Sequence, residues 1–168
     1  MEGGNFMSLK VSARVLAVAV AAGSLAAIPL ATPSGAVSKV SCSKEVSGKP
    51  SATTGNITVK ATLSGCVGGL GATATDVSTV NTTTAKATSK TTWAGGNGTT
   101  IQSVKYAGQK TIGKCPKGDA RLLVTATTTG GTGAAAKAIP KGSVGKSSIC
   151  ENTKTSIGTL EPGTKATF

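Results

Sequence analysis

The sequence contains no histidine, only six Asp and Glu residues, and aromatic residues at 2 % of its 168 positions. Histidine is the commonest general base, proton shuttle and metal ligand in proteins, so its absence excludes Ser-His-Asp, Cys-His and histidine–metal chemistry. No Gly-x-x-x-x-Gly-Lys-Ser/Thr phosphate loop is present either. Together these absences predict a protein that is not an enzyme and that uses no cofactor and no metal ion.

Large apolar side chains are also scarce. Leu, Ile, Val and Phe make up 22 of the 132 residues from 37 to 168, below the roughly 20 % level at which high net charge suggests disorder. Threonine accounts for 26 of the same 132 residues, and its branched Cβ favours pleated strands. Four cysteines supply crosslinks that a thin core needs. The composition therefore predicts a folded all-β domain, with a largely disordered chain as the alternative.

The first 36 residues have the organisation of an export signal. Lys10 and Arg14 precede an apolar stretch over residues 15–30, and small residues lead up to Ala36, after which we expect cleavage. The apolar stretch falls short of the ~20 residues needed to span a bilayer, and no Leu-x-x-Cys lipidation motif follows. We therefore expect a signal peptide at 1–36 and one domain at 37–168, with no stable membrane insertion.

Cysteine occurs at four positions, Cys42, Cys66, Cys115 and Cys150. None of them forms a Cys-x-x-Cys pair, which argues against zinc, and an exported chain favours two disulfides. Three pairings are possible, and we favour Cys42–Cys66 with Cys115–Cys150 because each pair brackets strands within its own half. Loops of that size contribute roughly 3–4 kcal/mol each through chain entropy.

Short strands with turns between them extend over the whole domain. Ile57, Val59, Ala61 and Leu63 alternate with polar residues, which is typical of a half-buried strand. The turn sequence Gly95-Gly96-Asn97-Gly98 predicts a hairpin between residues 84–93 and 99–107. Further strands are expected at 38–46, 73–80, 122–128, 143–151 and 156–168. The alanines at 134–136 are too few for a stable helix. We predict one small β-sandwich of immunoglobulin-like type, or a barrel, and leave the strand order open.

Several of these segments resemble small exported, disulfide-containing, Thr/Gly-rich β proteins of actinobacteria. The resemblance rests on Thr62–Cys66, on the Trp-containing turn at 92–100, on Cys115–Asp119 and on residues 130–136 with Cys150 and 160–165. It covers most of residues 40–168. It implies a β-rich fold outside the cytoplasm, and it supplies no catalytic residue because that group is largely uncharacterised.

The charged residues of the domain are expected on its surface. Each of its five acids, Glu45, Asp76, Asp119, Glu151 and Glu161, is interpreted as a turn residue or a surface partner of lysine. The densest run of cations comprises Lys105, Lys110, Lys114, Lys117 and Arg121. Lysine outnumbers arginine in this run, whereas planar recognition of phosphate prefers arginine. The export signal also makes DNA an improbable partner. We interpret this run as a solvated face that keeps the protein soluble, with a diffuse contact to cell-wall polyanions as the alternative.

These observations predict a secreted, non-enzymatic β-rich protein, free in the medium or loosely held at the cell envelope through lysine. The alternative is a small-ligand or protein-binding module such as a protease inhibitor. For an inhibitor, the corner Cys115–Gly118 is the candidate loop, and Lys117 is the residue that would enter a trypsin-like pocket. The oligomeric state and the ligand stay open.

Overall fold

The computed structural model describes residues 39–109 and 113–168. The expected signal peptide at 1–36 and Lys110 lie outside the described residues. Ten antiparallel strands account for most of the described chain. They are β1 (Ser41–Ser47), β2 (Ser51–Thr53), β3 (Asn56–Val67), β4 (Thr73–Asn81), β5 (Ala87–Trp93), β6 (Thr99–Gln109), β7 (Asp119–Thr132), β8 (Val144–Asn152), β9 (Gly158–Leu160) and β10 (Ala166–Thr167). The prediction of an all-β domain is confirmed.

Eight of the strands close into an antiparallel barrel. From β3 to β9 each strand pairs with the next along the chain, and β1 pairs with β3 on one side and with β9 on the other. The closing contact to β9 is short, because it consists of Val46 opposite Thr159. The two remaining strands are additions, since β2 extends beside β3 and β10 lies beside β1.

Alternation of side chains separates an inner from an outer surface. On β3, Ile57, Ala61 and Leu63 are buried, whereas the intervening Lys60 and Thr62 are exposed. The expected hairpin is also present, with β5 beginning at Ala87 rather than at residue 84. Its turn is closed by the Trp93 N–H, which donates to the carbonyl oxygen of Gly98 at 3.0 Å. The period-two pattern therefore identified both the strand and the hairpin.

Large apolar side chains fill one end of the barrel, which we call the closed end. The rings of Trp93 and Phe168 meet edge to face with their centroids 5.0 Å apart. They pack in one cluster with Val40, Cys42, Leu63, Leu70, Ala74, Ala135, Ile139 and Ala166. Some of these residues lie on strands, and the others lie in the β3–β4 loop, in or after α1, and just outside β1 and β10. The interior beyond this cluster is lined by both polar and apolar side chains.

A short helix, α1 (Gly133–Ala138), contributes to the closed end. The prediction that residues 134–136 form no helix was wrong. The segment is too short to be helical by propensity alone, but Ala135 and Ile139 are buried, and the Ala135 N–H donates to the Asn97 carbonyl oxygen at 2.8 Å. Burial in the closed end therefore stabilises a helix that would not persist alone.

The C-terminal segment is divided into two strands rather than forming one over 156–168. A turn separates β9 from β10, closed by the Thr164 N–H donating to the Glu161 carbonyl oxygen at 3.0 Å. β10 lies close against β8, where a Cβ on Gly145 would come within 2.2 Å of the Thr167 carbonyl oxygen. Glycine at position 145 is therefore required for this approach.

Both favoured disulfides are present, Cys42–Cys66 and Cys115–Cys150. The first joins directly opposed residues of β1 and β3, and the second attaches the 113–118 loop to β8. Two disulfides indicate an oxidising compartment. Across residues 39–109 and 113–168, no helix has the length and apolar character needed to cross a bilayer.

Candidate functional site

In the described part of the barrel, two partly open cavities lie beyond the closed end. The inner cavity, of about 80 Å³, reaches from Leu63 and Phe168 to Gln102 and Val124. The outer cavity, of about 90 Å³, extends away from the closed end, between Val59, Leu122 and Gly158. Four residues line both cavities, Glu45, Asp76, Ser78 and Tyr106. The two cavities therefore meet at a polar layer, which we call the acidic layer.

Asp76 is the hydrogen-bonded centre of the acidic layer. Its Oδ1 accepts hydrogen bonds from the hydroxyls of Ser89 and Thr91, the latter at 2.7 Å. Its Oδ2 accepts a hydrogen bond from the Ser78 hydroxyl at 2.9 Å. Three hydroxyl donors of β4 and β5 thus hold this carboxylate in place and use much of its accepting capacity.

Glu45 lies beside Asp76 but lacks such donors. No side chain or backbone group in the described chain donates a hydrogen bond to its carboxylate. Burial raises the pKa of Glu45 to about 7, and the negative charge of Asp76 adds to the effect. Glu45 therefore faces both cavities as a carboxyl group that loses its proton only near neutral pH.

Gln102 provides an unpaired donor in the same interior. Its side chain lines the inner cavity and is only 3 % exposed. Its Nε2 has no hydrogen-bond partner among the described residues. A buried amide without a partner costs roughly 1–3 kcal/mol, so an acceptor within the cavity would be favourable.

Two further titratable groups face the outer cavity, Tyr106 and Glu151. Burial raises the pKa of the Tyr106 phenol, a hydrogen bond with Ser78 counters part of the effect, and the charges of Asp76 and Glu45 raise it further. Burial also raises the pKa of Glu151. Among residues 39–109 and 113–168, no three His, Cys, Asp or Glu side chains gather into a group that could hold a metal ion.

The interpretation of Glu45, Asp76 and Glu151 as turn or surface residues was therefore wrong, because all three line cavities inside the barrel. The alternation of inward and outward residues along each strand indicates which acids are buried. Asp76 shares its parity on β4 with the buried Ala74, and the opposite parity holds the exposed Val77. Serine, threonine and alanine fit either face of a sheet, so this alternation is weak in the sequence.

Glu161 lies outside the barrel, where it connects the C-terminal segment to the 113–118 loop. Its Oε1 accepts the Lys114 N–H at 2.8 Å, and its Oε2 accepts Ser148 Oγ at 2.6 Å and Arg121 Nε at 2.8 Å. These donors, with the Lys114 N–H contributing most, lower its pKa to about 2. The expectation of a turn at Glu161 is confirmed, but its partner is Arg121 rather than a surface lysine. Asp119 differs again, since its Oδ1 accepts a hydrogen bond from Asn152.

Of the five cations proposed to bind polyanions, the four that the structure describes lie on β6, on β7 and in the 113–118 loop. Lys105 lies on the outer face of β6, and Lys114 and Lys117 lie in the exposed 113–118 loop. Arg121 is half-buried against Glu161. Their binding to polyanions stays a prediction. Lys117 sits in a tight turn closed by the Asp119 N–H and the Pro116 carbonyl oxygen at 3.1 Å. Inhibition of trypsin through Lys117 also stays a prediction.

Replacing Glu45 by glutamine is expected to stabilise the barrel at pH 8 by about 1–3 kcal/mol. The folded pKa of about 7 exceeds the ordinary 4.5, so stability present at low pH is lost as the pH rises from 4.5 through 7. Glutamine has no charge to bury, and the gain should vanish by pH 5. Thermal unfolding of both proteins from pH 5 to 8 measures this difference.

Glu161→Gln is the control, because its effect on stability at pH 8 should be opposite in sign to that of Glu45→Gln. The folded pKa of Glu161 is lowered, so its contribution to stability is present above pH 4.5 and is lost as the pH falls toward 2. The variant should therefore be destabilised at pH 8. Equal melting temperatures for Glu45→Gln and the unaltered protein at pH 8 would show that Glu45 is well solvated.

Comparison with protein-family models, with curated proteins and with solved structures finds no significant match to this chain.

Proposed function

We propose that this chain is an exported, non-enzymatic binding protein that takes a small polar ligand inside its barrel. The observation that carries the proposal is the pair of cavities meeting at the acidic layer. An eight-stranded barrel is just wide enough to be filled by side chains or to hold one small ligand. Here the side chains of the middle section leave space and present polar groups to it.

The size of the cavities limits the ligand. A group the size of a water molecule needs roughly 10–15 Å³ of cavity volume. Each cavity therefore accommodates on the order of five to eight non-hydrogen atoms. Thr167 and Lys146 line the inner cavity and are exposed, so one wall of this cavity lies at the protein surface. Export is supported by the signal-like segment at 1–36 and by the disulfides, which are typical of oxidising compartments.

A titration with small probes tests interior binding. Three probes of similar size and different charge are 3-amino-1-propanol, 1,3-propanediol and 3-hydroxypropanoate, added to isotope-labelled protein and followed by NMR. We expect at least one probe to shift the Gln102 side-chain amide signal. Ala126→Leu, which fills the inner cavity, should abolish the shift, whereas Thr127→Leu adds the same side chain to the outer face of β7 and should preserve it. A Gln102 signal unmoved by all three probes would contradict the proposal.

The outer surface supports a second function, association with anionic envelope polymers. Lys60 and Lys90 are exposed and lie on either side of Val77, one strand apart from it. Lys105 and Lys146 flank Thr125 in the same way. Strand spacing places the two lysines of each pair about 10 Å apart, so they present charge that a flexible polyanion could follow.

Lysine replacement with matched charge tests this second function. We expect Lys105→Gln with Lys117→Gln to weaken binding to cell-wall polyanions several-fold, and about 0.5 M salt to release the protein. Lys49→Gln with Lys137→Gln removes the same charge from other exposed positions and should have a smaller effect. Binding that is unchanged by salt would exclude a charge-driven contact.

A further inference from the structure

We propose that the barrel interior binds a small primary amine carrying an oxygen acceptor, with Glu45 as the counter-charge of the ammonium group and Gln102 Nε2 as the donor to the acceptor. The inference rests on the proposed function and adds the chemical class of the ligand. It depends on two independent observations, an unpaired carboxylate and an unpaired buried amide that line the same cavity.

The charge of the lining selects a cation. Three carboxyl groups face the cavities, Glu45 and Asp76 in the acidic layer and Glu151 further out. Among the described residues, one cation, the exposed Lys146, lines the inner cavity, and none lines the outer cavity. An anionic ligand would therefore meet like charge at the acidic layer, whereas an ammonium group compensates the carboxylates there.

The arrangement of hydrogen bonds selects an ammonium group rather than a divalent metal ion. The Asp76 oxygens already accept hydrogen bonds from Ser78, Ser89 and Thr91. Ca²⁺ or Mg²⁺ needs about six or more oxygen ligands, and Glu45 is the one carboxylate of the acidic layer without donors. An ammonium group has three donors and is satisfied by a single carboxylate with neighbouring hydroxyl oxygens.

Gln102 determines what the other end of the ligand must carry. Its Nε2 is a donor, so the ligand has to present an acceptor, such as a hydroxyl, ether or carbonyl oxygen. Because Gln102 and Glu45 both line the inner cavity, a ligand of a few non-hydrogen atoms can meet them together. A purely apolar amine would leave the Gln102 donor unpaired.

Proton exchange follows from the same contact. Near pH 7 Glu45 is partly protonated in the free protein, so an ammonium group that binds its carboxylate displaces that proton to solvent. Besides Glu45, the titratable or charged residues that line the two cavities are Asp76 of β4, Tyr106 of β6, and Lys146 and Glu151 of β8, and of these Lys146 is exposed. Affinity for the amine should fall about tenfold between pH 8 and pH 6 as Glu45 becomes protonated.

The experiment is a titration of the folded domain at pH 8 with the three probes named above. We expect 3-amino-1-propanol to bind at least tenfold more tightly than 1,3-propanediol, and 3-hydroxypropanoate to bind more weakly than both. Glu45→Gln should remove the advantage of the amine over the diol, together with the pH dependence of amine binding. Gln102→Leu should weaken the binding of the amine and the binding of the diol by a similar factor.

The outcomes separate the two proposals. Equal affinities for the amine and the diol, or an amine affinity unchanged in Glu45→Gln, overturn the amine proposal and leave interior binding intact. Calcium or magnesium chloride that competes with the amine and shifts the Glu45 signals at millimolar concentration also overturns it, in favour of a metal ion. Absence of binding by every probe overturns both proposals.

Discussion

Replacing all four cysteines by serine is expected to leave the domain unfolded at 25 °C. The chain-entropy contribution of loops of 24 and 35 residues is about 3–4 kcal/mol each, and a typical domain is stable by only about 5–15 kcal/mol. Cys42 and Cys150 are also buried, so serine would place unpaired hydroxyls in apolar surroundings. Circular dichroism should show loss of the strand signal.

Two double variants divide this effect between the disulfides. Cys42→Ser with Cys66→Ser removes the bond beside the closed end, and Cys115→Ser with Cys150→Ser releases the 113–118 loop from β8. Each should remain folded in the cold with a lowered melting temperature. A quadruple variant that melts as high as the parent would show that the apolar cluster and the barrel hydrogen bonds suffice without covalent crosslinks.

Trp93→Ala is expected to destabilise the domain by about 3–5 kcal/mol, the largest effect of any single side chain. Trp93 is 2 % exposed and contacts Phe168, and its Nε1 donates to Thr100 Oγ1 at 2.9 Å. Few other large apolar residues are available to fill the space it would leave. Urea unfolding followed by circular dichroism measures the loss.

Thr100→Val separates packing from hydrogen bonding at the same position. Valine preserves the volume of Thr100 and removes the acceptor of the Trp93 Nε1–H, which should cost about 1–3 kcal/mol. Because Trp93 is the only tryptophan, its fluorescence in this variant reports directly on the closed end. A Trp93→Ala variant as stable as Thr100→Val would mean that the ring contributes little through packing.

Strands and crosslinks could be predicted where the sequence contrasts large apolar with polar residues. Ile57 to Leu63 alternates clearly, and glycines mark the turn after Trp93, so β3 and the β5–β6 hairpin were predicted nearly in place. Closure of the barrel could not be predicted, because the pairing of β1 with β9 is a single bridge between Val46 and Thr159. Val46 lies between Glu45 and Ser47, and Thr159 lies between Gly158 and Leu160, and neither sequence marks a bridge between the two strands.

The acidic layer was missed for a related reason. Inward positions of β4, β5 and β6 are occupied by serine, threonine, aspartate and glutamine as well as by apolar residues. Such positions are indistinguishable from outward ones unless the register of the neighbouring strands is known. The helix α1 illustrates the reverse case, since packing of Ala135 and Ile139 overrides a weak local propensity.

The pairing of β1 with β10 has a consequence for the order of events during folding. Ser41 of β1 pairs with Thr167, which lies 126 positions later in the chain. This part of the second edge of β1 therefore stays unpaired until the C-terminal residues are available. A chain that emerges from its N-terminus can form the β1–β3 pair and the Cys42–Cys66 bond early, since they need only nearby residues. Closure of the barrel through β9, where Thr159 pairs with Val46, also needs the C-terminal segment, and such distant pairing slows folding. Until then the incomplete sheet keeps an unpaired edge, so an oxidase or a holding chaperone has a long interval in which to act.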